Sequence, residues 1–496
     1  MAGVLPDLLG ARTLGYRARC MDRTHRARIA LTLALLVGCG DPPAGDSEAA
    51  ATTAGLTTTG SATEPATSSV PTTTDAAATD EAGSGGGEGD DSTGAPACDV
   101  DAVPVYDRGF IPRGESRTDV VLPACGEDRW YFAAASESTV EVTLRRRDGG
   151  LLTAAIAYPD EPLADVWGAA LVDPLVSAEQ PTSVIFPVPR SGEFAIHVRA
   201  DDVDFIDAPA GYDLEIRCVL GCERETTRFP VLLVHGWTGF EAIGPLTYFY
   251  NVVVTLEQLG YPVAVAVLDP YNHTSVRSGQ LAVQIDETLV EWRARKVDLL
   301  GHSQGGIDSR AAVSSHGRGD VVSVVLTVAS PHRGTYLTDV ALGLAPGAAE
   351  QWVGALLNFV GAVTAQQKSD AIASFYSLSE EHMQDEFNPQ NLDDPRVKYI
   401  SYTGRTCDGL AYLDPENNCQ DLCDPLIAWA YRMLKDTRGD NDGLVTLESA
   451  KWGEYRGEMI ADHIDEVGQI AGVTDLKFDH LAFYRDRARD LAAEQH

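Results

Sequence analysis

The stretch Val297-Asp-Leu-Leu-Gly-His-Ser-Gln-Gly-Gly306 constrains this chain more than any other. A short apolar run followed by closely spaced glycines reads as a strand that turns sharply into a helix, with Ser303 at the tip of the turn. Gly301 and Gly305 stand two positions either side of the serine because such a turn brings backbones nearly into contact, where a Cβ would clash. Ile307, Arg310, Ala311 and Val313 continue the helical pattern. The serine hydroxyl is thereby lifted clear of the sheet, and the amide of Gln304, at the helix N-terminus, is free to bind an oxyanion.

Strand and helix patterns alternate from residue 229 onward. Apolar runs at 230–236, 263–267, 297–300 and 321–328 predict buried strands of a largely parallel sheet covered on both sides. Such a sheet carries its site at the carboxyl ends of the strands, where His235-Gly236-Trp237, Ser303 and Ser330-Pro331-His332 all fall. A serine becomes a nucleophile only when a base takes its proton and a carboxylate orients that base. Asp442 and His463 follow the serine in that order. His480 is the competing histidine and is read as a solvated helix residue.

At 496 residues the chain exceeds one ordinary core, so two folded units with connecting material are expected. Its 73 acidic and 38 basic residues give a formal charge of −35, which argues against a nucleic-acid partner because phosphate binding needs a basic surface. No cysteine is joined by histidines at zinc-ligand spacing. In an exported protein Cys98, Cys125, Cys218 and Cys222 could form two disulfides, and Cys407, Cys419 and Cys423 one with a thiol left over.

Upstream, residues 98–222 hold short period-two runs at 130–132, 139–144, 183–186, 193–199 and 212–218, which predict a small antiparallel β-sandwich. His197 on one of these strands is read as solvated, and the domain is assigned spacing or weak binding. Residues 40–97, nearly all Thr, Ala, Ser, Gly, Asp and Glu, cannot bury a core and are expected to be a disordered tether. Before them, Met21 is the expected start; a basic stretch and the apolar run 29–38 have signal-peptide form and are too short to span a bilayer.

Three resemblances follow from these residues. Leu36-Val37-Gly38-Cys39 resembles the bacterial lipobox, which implies lipidation of Cys39, export, and anchoring at the outer membrane or cell surface. Trp130-Tyr-Phe132, Ser191-Gly-Glu-Phe-Ala-Ile-His-Val198 and Gly211-Tyr-Asp-Leu214 resemble the pre-peptidase C-terminal type of accessory domain. From residue 229 to the end the chain resembles the bacterial true lipases of the Pseudomonas and Burkholderia type. The matching stretches are Pro230-Val-Leu-Leu-Val-His-Gly-Trp-Thr-Gly-Phe240, Thr274-Ser-Val-Arg-Ser-Gly-Gln-Leu281, Gly301-His-Ser-Gln-Gly-Gly306, Ser330-Pro-His-Arg-Gly-Thr335, Asn441-Asp-Gly-Leu-Val445 and His463-Ile-Asp-Glu-Val-Gly-Gln469.

The lipase resemblance implies an α/β-hydrolase sheet with a lid insertion at about 336–395, where Trp352, Leu356, Phe359, Val360 and Val363 recur at helical spacing. It implies Ser303 as nucleophile, His463 as general base, Asp442 as orienting acid, and the amides of Trp237 and Gln304 as the oxyanion hole. It further implies a structural Ca²⁺ held by the Asp465 carboxylate, the carbonyls of Gln469 and Val473, and an upstream carboxylate. Asp424 is assigned that last place, with Asp414 and Asp421 as rivals. The alternative for Asp465 and Glu466 is that both are solvated charges. The chain departs from the family at Glu448, where relatives often carry a disulfide cysteine.

The expected activity is carboxylic ester hydrolysis, most of all of triacylglycerols, through an acyl-enzyme on Ser303. A carboxylesterase or polyester depolymerase with the same three residues is the alternative, as is a lipid-anchored binding protein with a vestigial hydrolase. Expected partners are a lipid or ester substrate, a membrane reached through the anchor, and, as a candidate, a steric foldase.

Overall fold

The computed structural model describes residues 103–162, 166, 168–178, 180–200, 209–237, 248–345, 368–409, 421–474 and 477–496. The leader with Cys39, the 40–97 tether, Cys98, Asp414, Cys419 and the 346–367 part of the expected lid lie outside these residues. Two layered structures with separate cores make up the described chain, both within the compact unit Asp90–His496.

The first is a β-sandwich. Strands β1 (Val105–Phe110), β2 (Ser116–Leu122), β3 (Glu127–Ala134), β4 (Thr139–Asp148), β5 (Leu152–Ala157), β6 (Leu175–Ser177), β7 (Thr182–Pro187), β8 (Gly192–Ala200) and β9 (Ala210–Leu220) form sheets ordered β1-β3-β8-β5-β6 and β2-β9-β4-β7. All pairings are antiparallel except β1 with β3, which run parallel. The alternation read from sequence turns one face of each strand inward, and Phe132, Phe186 and Phe194 meet between the sheets with ring centroids 5.1–6.2 Å apart. Burying a ring of that size stabilises by about 1.5–3 kcal/mol. His197 is not solvated: β8 lies inside its sheet, and the imidazole is buried with Nδ1 2.6 Å from Glu127 Oε1.

The second structure is a six-stranded sheet of β10 (Val231–Val234), β11 (Val263–Ala266), β12 (Val297–His302), β13 (Val322–Val328), β14 (Lys398–Gly404) and β15 (Glu454–Met459), ordered β11-β10-β12-β13-β14-β15. Every pairing is parallel. The central strands are buried on both faces, as continuous Val and Leu runs require. Helices α1 (Val252–Leu259), α2 (Thr274–Glu291), α3 (Gln304–Ser314), α4 (Tyr336–Ala341), α5 (Lys368–Ser377), α6 (Ala428–Thr437) and α7 (His480–Ala493) accompany it. One face packs α1 and α7 through Val252, Leu256, Tyr484 and Leu491; the other packs α2 and α3 through Leu281, Ile285, Ala312 and Val313. The parallel sheet covered on both sides that the strand runs predict is therefore present, in the α/β-hydrolase architecture that the lipase resemblance implies, with the sandwich before it.

The sandwich docks at the amino ends of β10 and β12. Glu193 on β8 is buried and accepts from Arg228, which precedes β10, and from Arg295, which precedes β12, at 2.7 Å. The Arg295 guanidinium also lies 3.6 Å over the Tyr131 ring. The opposite, carboxyl ends of the strands are left to the site. Cys218 and Cys222 form a disulfide, Cys125 and Cys407 each belong to a separate disulfide, and Cys423 is a free buried thiol.

Candidate active site

The turn between β12 and α3 is as tight as its glycines suggest. Ser303 has φ 56° and ψ −130°, a conformation that costs a non-glycine residue about 1–3 kcal/mol and is held by its surroundings. A Cβ on Gly301 would lie 2.6 Å from the backbone of Gly306, and one on Gly305 would lie 2.2 Å from the carbonyl oxygen of Val234. Gly305→Ala is therefore expected to destabilise the protein by about 3 kcal/mol, the upper part of the overpacking range, as read by urea unfolding. A stability within 0.5 kcal/mol of wild type would contradict the packing argument.

Asp442 and His463 come to this turn from the loops after α6 and β15. The Asp442 carboxylate is buried; Oδ1 accepts from the amides of Leu444 at 2.8 Å and Val445 at 2.7 Å, and Oδ2 lies 2.8 Å from His463 Nδ1. The His463 amide in turn donates to the Asp442 carbonyl at 2.9 Å, so the pair is fixed by backbone as well as side chain. The His463 ring lies 4.6 Å from that of His302, the residue before the serine. Among the described residues neither the Ser303 hydroxyl nor His463 Nε2 makes a hydrogen bond. Bonds of this kind are commonly long in a substrate-free enzyme and tighten when substrate arrives.

The two residues expected to donate to an oxyanion lie on the turns that adjoin the serine. Gln304 opens α3, so its amide has no partner within the helix. Trp237 follows Gly236, where a Cβ would sit 2.6 Å from that of Ser303. Arg277 on α2 holds this turn: it donates to the His235 carbonyl at 2.7 Å, to the Asp269 carbonyl, and from Nε to Asp308 Oδ2 at 2.8 Å. Arg277 and Asp308 are both fully buried, and burial pushes the Asp308 carboxyl up to about 6 against the pull of the guanidinium. Arg277 stands in the stretch 274–281, but its partner lies 31 residues away and no sequence signal joins them.

Glu466 has no assigned role in the sequence, and the alternative that it and Asp465 are solvated charges fails, because both are buried. Glu466 is fully buried, with Oε2 2.8 Å from His302 Nε2 and 3.8 Å from His463 Nδ1, while His302 Nδ1 lies 2.7 Å from the Tyr248 hydroxyl. Burial and the neighbouring Asp442 and Asp462 push Glu466 well above the usual carboxylate range, and burial beside His463 holds His302 well below the usual imidazole range. Both shifts favour an uncharged Glu466–His302 pair, leaving Asp442 as the carboxylate that orients His463. The spacing of Glu466 three positions after His463, on the same turn, was the available signal. His480 is likewise buried, not solvated: it starts α7, its Nε2 donates to the Tyr250 carbonyl at 2.9 Å, and it takes no part in the triad.

The loops assigned to a cation also meet here. Asp462 Oδ2 accepts from the Asp424 amide at 2.6 Å, and Oδ1 accepts from the amide of Asp465 at 2.9 Å, so one carboxylate ties the two segments together. Asp465 is buried, Asp424 is half-buried with Oδ1 engaged by the Leu426 amide, and the rival Asp421 is fully buried beside Glu466. Among the described residues the carbonyls of Gln469 and Val473 accept no hydrogen bond. Burial drives Asp462 up to about 6. Carboxylate and carbonyl oxygens are the kind of donor a hard divalent ion takes.

An apolar cavity opens beside the serine, walled by Trp237, Phe375, Leu378, Trp429 and Leu444. The expected lid flanks it through α4 and α5, although its apolar stripe falls outside the described residues.

Residues 230–419 match the family model described as palmitoyl protein thioesterase. A triacylglycerol lipase of Pseudomonas fragi is 29% identical over 295 residues, covering 53% of this chain and 96% of the relative. A triacylglycerol lipase of Vibrio cholerae serotype O1 is 28% identical over 288 residues, covering 53% of this chain and 88% of the relative. Among solved structures, the mature form of the Bacillus licheniformis lipase BlEst2 aligns over 54% of this chain and 93% of its own, at 22% identity and a TM-score of 0.40.

Proposed function

We propose that this protein is a triacylglycerol lipase of the bacterial true-lipase type. The coarser statement, that it is a carboxylic ester hydrolase, rests on the triacylglycerol lipases it matches over nearly their whole length and on the site itself. The observation that carries most weight is the His463–Asp442 pair at 2.8 Å, set against a strained serine at the carboxyl end of a parallel sheet. In the reaction His463 Nε2 takes the Ser303 proton as the oxygen attacks the ester carbonyl, and Asp442 stabilises the imidazolium through Nδ1. The tetrahedral oxyanion is met by the amides of Trp237 and Gln304. His463 then gives its proton to the leaving alcohol, and a water activated by the same imidazole releases the acid. Hydrolysis of p-nitrophenyl butyrate and of a tributyrin emulsion is the test; activity on neither would sink the reading.

The anchor is part of the same proposal. Lipidation at Cys39 and a tether over 40–97 would hold the enzyme at the outer membrane or cell surface. Calcium is proposed as a structural ion held by Asp465, the Gln469 and Val473 carbonyls and Asp424; it would fix the loop that carries His463. At a free concentration a hundredfold above Kd such an ion stabilises by about 2.7 kcal/mol. Chelation is therefore expected to lower the melting temperature by several degrees and activity with it, both restored by added calcium. An unchanged melt in chelator would count against the ion.

A further inference from the structure

Trp237 contributes its amide to the oxyanion hole, but its indole has a separate place. It packs against Phe375 with ring centroids 5.1 Å apart and against Tyr271 at 5.3 Å, and with Phe375, Leu378 and Trp429 it lines the cavity beside Ser303. That cavity measures about 70 Å³, roughly half the ~150 Å³ of an apolar cavity that admits one benzene ring. The acyl group is the part of the substrate that stays on Ser303 through both chemical steps, so it is the part this wall must accommodate.

The wall is tied to the nucleophile's own helix. Ser374 Oγ donates to Gln304 Oε1 at 3.0 Å, Thr274 Oγ1 donates to Ser377 Oγ at 3.3 Å, and the Leu378 carbonyl accepts from the Thr335 amide at 2.9 Å and the Thr338 hydroxyl at 3.0 Å. Ser374, Ser377 and Leu378 are buried. These bonds fix the backbone that carries Phe375, so a long chain gains room only by turning the Phe375 ring itself.

We propose that Trp237 and Phe375 set the length of acyl chain accepted, restricting the enzyme to short-chain esters of about four carbons; this rests on the ester hydrolase reading above. The measurement is kcat/KM on p-nitrophenyl acetate, butyrate, octanoate and dodecanoate, each below its aggregation limit. Wild type is expected to prefer butyrate to octanoate by about tenfold or more, the discrimination a tight apolar pocket gives. Trp237→Leu and Phe375→Ala should each raise the octanoate-to-butyrate ratio by about tenfold. Phe375 takes no part in the chemistry, so if Trp237→Leu does not fold, Phe375→Ala and the wild-type profile still decide. A wild type that prefers octanoate, or a ratio unmoved in Phe375→Ala, overturns the restriction and leaves the hydrolase reading standing. Absence of Ser303-dependent hydrolysis at every length overturns that reading, and this inference with it.

Discussion

Ser303→Ala is expected to lower kcat/KM for ester hydrolysis by between ~10⁴- and ~10⁶-fold while the protein stays folded. The size follows from what is lost: without the hydroxyl no acyl-enzyme forms, and what survives is water attack assisted by the amides of Trp237 and Gln304. The fold should not suffer, because alanine tolerates the φ of 56° about as well as serine, and the Ser303 hydroxyl makes no hydrogen bond among the described residues. Circular dichroism melts of the two proteins should coincide within a few degrees. Loss of activity with loss of structure would leave the hydroxyl's role unproved, so the melt belongs to the prediction.

Arg277→Met should have the largest effect on stability, about 3–5 kcal/mol by urea unfolding, because it strands the Asp308 carboxylate fully buried without its partner. It should also lower kcat, since the guanidinium holds the His235 carbonyl in the turn that leads to Trp237, the proposed oxyanion donor. The two consequences can be separated. Arg277→Met with Asp308→Asn removes the stranded charge and should recover much of the stability, yet leave kcat low because the turn is still unheld. If the double variant recovered both, Arg277 would matter only as a counter-charge.

Much of this was legible in the sequence, for a physical reason. Strands buried on both faces must be apolar throughout, so β10, β12 and β13 announce themselves, and a turn that brings backbones into contact must be built from glycine, so Gly301 and Gly305 point to Ser303. The outer part of the sheet was harder. Strand β15 reads Glu-Tyr-Arg-Gly-Glu-Met and is half-exposed at the sheet edge, where no apolar run is required. The buried charges were harder still. Glu466, Arg277 and Asp308 look like surface residues one at a time; only the fold brings each to the partners that let it be buried. His197 and His480 were misjudged on the same ground, since a polar residue on a strand or helix carries no mark of the face it occupies.

The most direct test of the central claim, that His463 activates Ser303, is covalent labelling by a dialkyl fluorophosphate read by peptide mass spectrometry. One adduct on Ser303, formed in step with loss of esterase activity, absent in Ser303→Ala and much slower in His463→Ala, is the predicted result. Full esterase activity in a protein that takes no label, or an adduct on a different residue that tracks inactivation, would contradict it.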